Sequence, residues 1–447
     1  MKFRKFGKTV LTAALSSAIV FSLSSCIRSF TVGYMYVTGT VTATPSGNGI
    51  ISAFKINNNN GRLTTLDGFP LSSGGANPIR AVLVAGGNFV YVLNRGANKE
   101  GTGDCTTADP CLNSNITEFA VGGNGILTYQ ATFFTQGINP FRLIPDSSGN
   151  FLFALDHDAP SNAYCSAVVT GATSCGDVTV FSVNSTTGRL TVVENAQQTS
   201  QSGTQVTYFP VPANPIDFTL ASTYLEILSG APSGTTGFTG QTVYPYAYTS
   251  STGQLSYSES IPQVINNGSG GLLGQGTLIV NASGHVYILD NEALTAGNPP
   301  GQVLIFTVGS NGVLNSLVGG AVADDATETY PLYLIAESKG KYIYVANEAG
   351  LGINNGAGLV AYTIDPSSNQ LSEDPGSPFP TGTGASPSCL LEDPSNQYIY
   401  TANFGDSTVT GKLLDPNSGV LRPVQGWSGS IGINGPATSC IATGRTN

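Results

Sequence analysis

The feature that most constrains the fold of this chain is a motif of two apolar runs that repeats seven times. The first run recurs as YMYVTG from Tyr34, FVYVLN, FLFALD, YLEILS, HVYILD, YIYVAN and YIYTAN from Tyr398. The second run follows, as in ISAFKI from Ile51 and VLIFTV from Val303, and leads to a turn and a Leu, usually as Gly-x-Leu. Self-similarity along the whole chain indicates seven copies of one supersecondary unit.

A third run precedes the first and usually opens at Pro, as in NPIRAVLV (77–84) and NPFRLI (139–144). The runs are rich in Tyr, Val, Ile, Phe and Thr and are bounded by turn residues, which is typical of strands. With the short outer segment after each turn, every unit has four strands. We therefore predict an all-β fold, a seven-bladed β-propeller with four-stranded blades over residues 34–447.

The two ends of the chain are predicted to close this ring. The segment GPATSCIATG (435–444) is a copy of the third run with no unit after it, and YMYVTG has no third run before it. The C-terminal strand should therefore join the N-terminal strands in a single blade.

The first 26 residues form a separate segment. Four basic residues within the first eight precede a mostly apolar stretch from Val10 to Leu23, which is too short to span a membrane. The sequence Leu-Ser-Ser-Cys at 23–26 resembles the lipobox of bacterial lipoproteins, which implies lipidation of Cys26. Residues 27–33 would then be a tether on an exported protein that contacts the membrane through its lipid alone. The alternative is an ordinary cleaved signal peptide with an incidental Cys.

Six cysteines remain after Cys26, an even number in a chain with an export signal. Spacing favours pairing Cys105 with Cys111 and Cys165 with Cys175, which leaves Cys389 and Cys440. A bridge between these last two would hold the closing strand to the neighbouring inner strand. The alternative for the last pair is two buried free thiols, because a disulfide requires Cα atoms within about 7 Å.

Charge excludes one class of function. The chain has 27 acidic and 17 basic residues, and four of the basic ones lie in the export segment. An acidic surface repels phosphate backbones, so we predict no nucleic-acid binding. The sequence shows no metal or cofactor motif, and we predict neither. We expect a monomer.

Connection lengths predict two different faces. Naming the strands A to D from the channel outward, the A–B and C–D turns are short, as at 146–150 and 184–188. The B–C and D–A connections are long, as at 95–115, 157–177, 193–213 and 258–274. We call the two rims the short-turn face and the long-loop face, and we predict binding at the long-loop face. Strand B of the N-terminal blade begins at the short-turn face, so that face should look toward the membrane.

Counting two residues past each strand-opening Pro gives a candidate site in the channel. These residues are Arg80, Arg142, Asp217, Tyr333, Cys389 and Thr438. We predict that Arg80, Arg142 and Tyr333 bind an anionic ligand, since guanidinium groups match carboxylate or phosphate. Asp217, or less directly His157 at the end of a strand B, could position a water molecule. The alternative is a structural ion-pair network that satisfies polar groups in a wet channel.

The aromatic-Val-x-Asn strands and the Asp-Pro-x-(Ser/Thr)-Gly-x-Leu turn resemble the YVTN-repeat propellers and the lactonase family of seven-bladed propellers, which includes 6-phosphogluconolactonase-like proteins. The resemblance covers residues 34–443. It implies an inner-strand site in which Pro is followed by His or Arg-His. Here the matching stretches are Asn77-Pro78-Ile79-Arg80 and Asn139-Pro140-Phe141-Arg142, which keep the Arg and lack the His.

Two functions are therefore predicted, and the missing His favours the first. The first is a lipid-anchored propeller that binds a small acidic sugar, a glycan or an envelope protein. The second is a lactone hydrolase in which Arg80 and Arg142 hold an acidic lactone while Asp217 or His157 acts on water.

Overall fold

A computed structural model describes residues 30–40, 47–99, 105–200, 202–230, 241–257, 263–265, 276–291, 301–350, 356–383 and 385–444. These residues form seven antiparallel sheets and two short 3-10 turns, Ala85–Gly87 and Asn162–Ala167. In the described part of the chain, no helix has the length and apolar character needed to cross a membrane.

The strands follow the repeats in chain order. The first four are β1 Thr31–Gly39, β2 Asn48–Asn57, β3 Leu63–Thr65 and β4 Leu71–Ala76. Blade 1 comprises β5 Pro78–Val84, β6 Phe89–Asn94, β7 Asn115–Val121 and β8 Leu127–Phe133. Blade 2 comprises β9 Ile138–Pro145, β10 Phe151–Asp158, β11 Gly176–Val183, β12 Leu190–Val192 and β13 Phe209–Val211. Blade 3 comprises β14 Pro215–Ala221, β15 Tyr224–Ser229, β16 Gln241–Thr249, β17 Gln254–Tyr257 and β18 Gln263–Ile265.

The second half of the chain continues the pattern. Blade 4 comprises β19 Gly276–Ala282, β20 His285–Asp290, β21 Gln302–Val308 and β22 Leu314–Ala323. Blade 5 comprises β23 Glu328–Ala336, β24 Tyr342–Gly350, β25 Gly356–Ile364, β26 Leu371–Glu373 and β27 Phe379–Thr383. Blade 6 comprises β28 Pro387–Glu392, β29 Tyr398–Asn403, β30 Thr408–Leu414, β31 Leu421–Pro423 and β32 Ser430–Gly432. The last strand is β33 Ala437–Gly444, and with β1 to β4 it forms blade 7.

The ring closes as the sequence predicts. Strand β33 pairs with β1, with Val37 opposite Cys440, and so supplies strand A of blade 7. The inner strands contact each other in the order β33, β5, β9, β14, β19, β23, β28 and back to β33. Strand β1 begins at Thr31, so the last three residues of the predicted 27–33 tether belong to the propeller.

The blades have the four predicted strand positions, and the outermost one is often divided. In five blades strand D consists of two short segments that both pair with strand C, for example β12 and β13 on β11. The predicted long connections 193–213 and 258–274 therefore each contain a strand. Strand β12 pairs with the end of β11 and β13 with its start. The chain between β12 and β13 therefore projects from the outer edge of the blade and not from either face of the propeller.

A repeated Tyr–Gly contact joins neighbouring blades and explains the Gly-x-Leu signature. In four blades a Tyr of strand B donates its hydroxyl to the carbonyl of a Gly in the next blade's C–D turn: Tyr36 to Gly125, Tyr91 to Gly188, Tyr344 to Gly419 and Tyr400 to Gly61. These glycines have positive φ. Another aromatic residue stands two positions before each of these Tyr residues, as Tyr398 does before Tyr400. Its ring lies where a Cβ atom on the Gly would be. Only Gly fits there.

The core lies between the blades. Leu155 and Val180 of blade 2 pack with Ile227 and Tyr244 of blade 3, and all four side chains are almost fully buried. The sheets are thus covered on both faces, which is why their strands are nearly continuous apolar runs.

Candidate functional site

The inner strands begin with a shared irregularity of the backbone that aims one side chain in each blade. A residue with positive φ lies at the start of five of them, as at Asn77, directly before β5, and Asn139, the second residue of β9. A bulge follows, because Pro78 pairs with Asn94 while Arg80 pairs with Leu93. A bulge bends its strand and re-aims the neighbouring side chains. The residue that resumes the pairing is the one that the sequence count selected.

The pairing registers define one such residue in each blade, and we call these seven residues the channel positions. They are Arg80, Arg142, Asp217, Leu278, Tyr333, Cys389 and Ser439. The prediction of Thr438 is wrong by one residue. Ala437, not Pro436, pairs with Gly39, so Thr438 is the bulged residue, and its Oγ1 lies 2.9 Å from Thr38 Oγ1.

Three channel positions join their blade to the next one. Asp217 Oδ2 accepts a hydrogen bond from the Ile279 amide at 2.9 Å, and Ser439 Oγ accepts one from the Ala81 amide at 3.1 Å. Cys389 bonds to Cys440, which occupies the same place in β33 that Ala81 occupies in β5. Each contact joins the channel position of one blade to the residue that directly follows the channel position of the next blade. These contacts fix adjacent blades to each other at the channel.

Arg142 and Asp217 neutralise each other. Arg142 Nε lies 2.9 Å from Asp217 Oδ1, and the Asp217 side chain is 5% exposed. Arg142 Nη1 also donates to the Phe141 carbonyl at 3.1 Å. With Ile279 on its other oxygen, Asp217 has both oxygens engaged. This pair is therefore the structural network that the sequence left open as an alternative.

Arg80 is in a different situation, because it forms no ion pair among the described residues. Its Nη1 donates to the Tyr333 hydroxyl at 2.9 Å, and its Cζ lies 5.6 Å from the centre of the Tyr333 ring. The Tyr333 hydroxyl raises the pKa of the guanidinium, burial lowers it, and the Asp217 carboxylate raises it again, leaving it above its ordinary value. Arg80 is thus a cation in the channel whose five N–H groups have one hydrogen-bond acceptor among the residues that the structure describes.

Arg80, Asp217 and Tyr333 line one cavity with a volume of about 640 Å³. Its walls include Leu278–Ala282 and Leu334–Ala336 from the inner strands of blades 4 and 5. Ser283 and the A–B turn Glu337–Gly340 form its outer part. The cavity therefore reaches the short-turn face, whereas the sequence predicts binding at the long-loop face. Arg142 does not line it and is connected to it through Asp217.

The structure separates His157 from this cavity. His157 Nδ1 lies 3.2 Å from Asp158 Oδ2 at the end of β10, on the side of the B–C loop. The ring of Phe141 is 6.4 Å from the His157 ring, centre to centre, and 5.5 Å from Arg142 Cζ. His157 is not among the residues that line the cavity. His157 and Asp217 therefore do not act together on one water molecule in this arrangement.

Sequence reasoning missed Lys339, a second cation that lines the cavity. The nearby Glu337 carboxylate accepts hydrogen bonds from the amides of Lys339 and Lys341, at 2.9 and 2.6 Å, and so closes its own turn. A signal was present, since Ser338-Lys339-Gly340-Lys341 is the one A–B turn that contains lysines.

No group of three or more His, Cys, Asp or Glu side chains in the described ranges could hold a metal ion. All three predicted disulfides form, with Cα separations of 5.1 Å for Cys105–Cys111, 5.3 Å for Cys165–Cys175 and 5.7 Å for Cys389–Cys440. Three disulfides indicate an exported protein. Cys26 lies outside the described residues.

Fold and channel together define a disulfide-linked seven-bladed propeller with a cavity on its axis that is lined by Arg80 and Lys339 and by the acids Asp217 and Glu337. Residues 46–208 and 293–437 match the family described as "Lactonase, 7-bladed beta-propeller", and the chain belongs to that family. No curated protein sequence matches the chain significantly.

Solved structures support the same fold. The periplasmic gluconolactonase PpgL from Pseudomonas aeruginosa is 18% identical, with a TM-score of 0.62 over 92% of this chain and 99% of that one. A proposed 6-phosphogluconolactonase from Bacteroides fragilis is 16% identical, with a TM-score of 0.60 over 92% of this chain and 98% of that one. At such identities the likeness concerns the fold alone.

Proposed function

We propose that this protein is an exported, lipid-anchored propeller that binds a small acidic ligand, such as a sugar acid or an acidic sugar lactone, in the channel cavity. The observation that carries the proposal is Arg80, which lines a cavity of about 640 Å³ and has Tyr333 as its hydrogen-bond acceptor. A ligand carboxylate or phosphate can take two parallel hydrogen bonds from such a guanidinium. Lys339 at the outer part of the cavity adds positive charge.

The contacts of Asp217 favour binding over hydrolysis. A general base needs a free oxygen within reach of the water that it activates. One oxygen of Asp217 is held by Arg142 and the other by the Ile279 amide. Among the described residues, Asp217 is thus held by Arg142 and Ile279, and no second titratable group hydrogen-bonds to it as an acid–base partner.

Membership of the lactonase family favours a second candidate, an acidic lactone hydrolase. In that case Arg80 would stabilise negative charge on the substrate, and water would be activated by a group that the ligand brings close or by the substrate itself. A glycan or an envelope protein on the long-loop face is the remaining alternative partner from the sequence.

The lipid anchor is part of the proposal and rests on the sequence around Cys26. Its support in the fold is that Phe30 exchanges hydrogen bonds with Asn58 in a C–D turn, so the chain enters at the short-turn face. Mass spectrometry of the mature N-terminus tests it. A diacylglycerol-modified Cys26 is expected, and an unmodified N-terminus at another residue would exclude the anchor.

Calorimetric titration with gluconate, glucuronate and glucose tests the binding site. We expect the acids to bind and glucose to bind much more weakly, and Arg80→Gln should lose at least tenfold in affinity for the acids. Arg422→Gln is the matched control, because Arg422 is 62% exposed and pairs with Asp415 away from the channel. Equal affinity for glucose, or an Arg80→Gln variant that binds normally, would contradict the proposal.

A lactone assay separates the two candidates. Purified protein is incubated with aldonolactones and their phosphorylated forms, and ring opening is compared with the spontaneous rate. Turnover that Arg80→Gln abolishes and Arg422→Gln does not would establish the hydrolase. Binding without turnover between pH 5 and pH 9 would establish the binding protein.

A further inference from the structure

A polar pair closes the loop-face end of several blades where strand B stops and strand C starts. In blade 1, Asn94 Nδ2 donates to Asn115 Oδ1 at 2.9 Å. In blade 4, Gln302 Nε2 donates to Asp290 Oδ2 at 3.0 Å. Asn403 and Thr408 form the corresponding bond in blade 6, also at 2.9 Å. In each of these blades one side chain donates and its register partner accepts.

Blade 2 carries two acids at this place. Asp156 pairs in register with Asp177, and neither side chain has any solvent exposure. Asp156 Oδ1 accepts a hydrogen bond from Thr135 Oγ1 at 2.7 Å. Asp156 Oδ2 and Asp177 Oδ1 have no hydrogen-bond partner among the described residues. The Thr179 hydroxyl donates to Asp177 Oδ2 at 3.5 Å, but two ionised carboxylates would be acceptors only and could not hydrogen-bond to each other.

We propose that Asp156 and Asp177 retain at least one proton between them at neutral pH, and that release of this proton to solvent loosens the root of the B–C loop 159–175. The proton makes one carboxyl a donor and thereby restores the donor–acceptor pair seen in the other blades. This inference concerns the loop face and does not depend on the proposed ligand.

No cation faces the pair in the part of the chain that the structure describes. Asp158 at the end of β10 and Tyr208, in the segment between β12 and β13, face the acid pair, and both side chains are acidic groups. His157 interacts with Asp158 instead. Thr135 and Gln136, in the connection between β8 and β9, also pack here. Thr135 donates to Asp156, and the backbone amide of Gln136 donates to Thr179 Oγ1. Gly137 lies so close that a Cβ there would overlap Asp177 Oδ1 and Asp156 Cβ, so the site cannot admit a bulky cationic side chain from that side.

The position of the pair links it to the loop. Strand β10 ends at Asp158 and β11 begins at Gly176, and the 17 residues between them include the Cys165–Cys175 disulfide. The Ala159 amide also bonds to the Cys175 carbonyl at 2.9 Å, directly beside the acid pair. By closure we mean the contacts that hold the two ends of the 159–175 loop together. Repulsion between two ionised carboxylates at this point would weaken that closure.

Burial raises the pKa of Asp156 to about 8, and burial together with the Asp156 charge raises the pKa of Asp177 well above its usual range. A raised pKa in the closed state means that closure is most stable below the ordinary carboxyl pKa of about 4. Closure then weakens as the pH rises from about 4 toward about 8, by up to about tenfold in its equilibrium constant per pH unit and per proton.

Hydrogen exchange of peptides from 159–175 between pH 5 and pH 9, corrected for intrinsic rates, tests the inference. Protection in the wild type should fall across this range. Asp177→Asn should keep its protection, because Asn can donate to Asp156 as Gln302 does to Asp290. The double variant Asn94→Asp/Asn115→Asp provides the reciprocal test, since it places two acids in register at the same point of blade 1 and should give peptides from the adjoining B–C loop the same pH dependence.

Infrared spectroscopy adds a direct readout of the proton. The protonated carboxyl band of the wild type at pH 7, to which other buried acids such as Glu226 also contribute, should decrease in Asp177→Asn, and the component that is lost should shift on deuteration. An unchanged band, or wild-type protection that is independent of pH or equals that of Asp177→Asn at every pH, would overturn the inference. If Asp177→Asn fails to fold, Asn94→Asp/Asn115→Asp still decides it.

Discussion

Arg80 in blade 1 donates a hydrogen bond to the hydroxyl of Tyr333 in blade 5 at 2.9 Å, although 253 positions separate them in the chain. Blades 1 and 5 are not neighbours, so this bond crosses the channel. It places a positive charge at the inner end of the cavity, while Asp217 and Arg142 cancel beside it. Four of the six residues that the sequence count selected are thus divided into a cation with its phenol and a neutral pair.

Asp217→Asn should strengthen binding of an acidic ligand. The change removes a negative charge near Arg80 and releases Arg142, while the Asn oxygen can still accept from the Ile279 amide. An electrostatic gain of about 1 kcal/mol corresponds to roughly fivefold tighter binding, measurable by titration calorimetry. Asp415→Asn, which removes the surface partner of Arg422, should have no effect. Loss of a measured lactone turnover in Asp217→Asn would instead identify Asp217 as catalytic.

Tyr400→Phe should destabilise the ring by about 1 kcal/mol, the usual net value of a buried hydrogen bond. The hydroxyl of Tyr400 donates to the Gly61 carbonyl at 2.6 Å and joins blade 6 to blade 7. Tyr287→Phe is the matched control, because Tyr287 has the same place in blade 4 but its hydroxyl has no partner among the described residues. Urea denaturation should show a smaller loss, or a gain, for Tyr287→Phe.

Gly188→Ala should cost more than Gly203→Ala. Both glycines have positive φ, 73° and 82°, so each substitution carries a conformational cost of about 1 kcal/mol. A Cβ at Gly188 would overlap Glu118 and the Phe89 ring, whereas nothing lies within 4 Å of one at Gly203. We expect a difference of about 1–3 kcal/mol in the free energy of unfolding. Equal losses of stability in the two variants would show that the contact between blades 1 and 2 accommodates the added methyl group at no cost in free energy.

Removing the Cys389–Cys440 disulfide with a double Ala substitution should cost about 4 kcal/mol in the loop-entropy account, since 51 positions separate the cysteines. Removing Cys105–Cys111, with a separation of 6, should cost about 2 kcal/mol. Thermal unfolding of the two variants side by side measures the difference. An opposite order would mean that strain in the native state outweighs loop closure.

Glu226→Gln should reduce the pH dependence of global stability. Glu226 takes the place of the strand-B Tyr in blade 3, is fully buried, and has no partner for either oxygen among the described residues. Burial raises its pKa to about 8. Its contribution to stability is therefore largest below its ordinary pKa of about 4.5 and is lost as the pH rises toward about 8. Melting temperatures from pH 4 to pH 9 should fall less steeply in Glu226→Gln, and exposed Glu194→Gln should follow the wild type.

The fold could be predicted because its signals are local and repeated. In four blades the Gly of the C–D turn and the Tyr of strand B belong to the same contact between blades, and the strand pattern itself is repeated seven times, so the copies reinforce one another. Thr438 was misassigned because Pro436 stands one residue before its strand, while Pro78 stands inside its own. Leu278 was overlooked because the fourth inner strand has no Pro from which to count.

The location and charge state of the site could not be predicted in the same way. Loop lengths indicated the long-loop face, but the cavity depends on which side chains cross the channel. That Arg142 meets Asp217 while Arg80 meets Tyr333 depends on contacts between blades that are distant in sequence. The register of a single strand contains no such information.

The shared blade has a consequence for how the protein is made. Strands β1 to β4 leave the ribosome first, yet their inner partner β33 is among the last segments to be synthesised. Until then, the inner edge of β1 has no partner strand, and such an edge can pair with other chains. A premature stop before residue 437 would therefore leave six complete blades and an open edge, and aggregation of the nascent product is the expected fate.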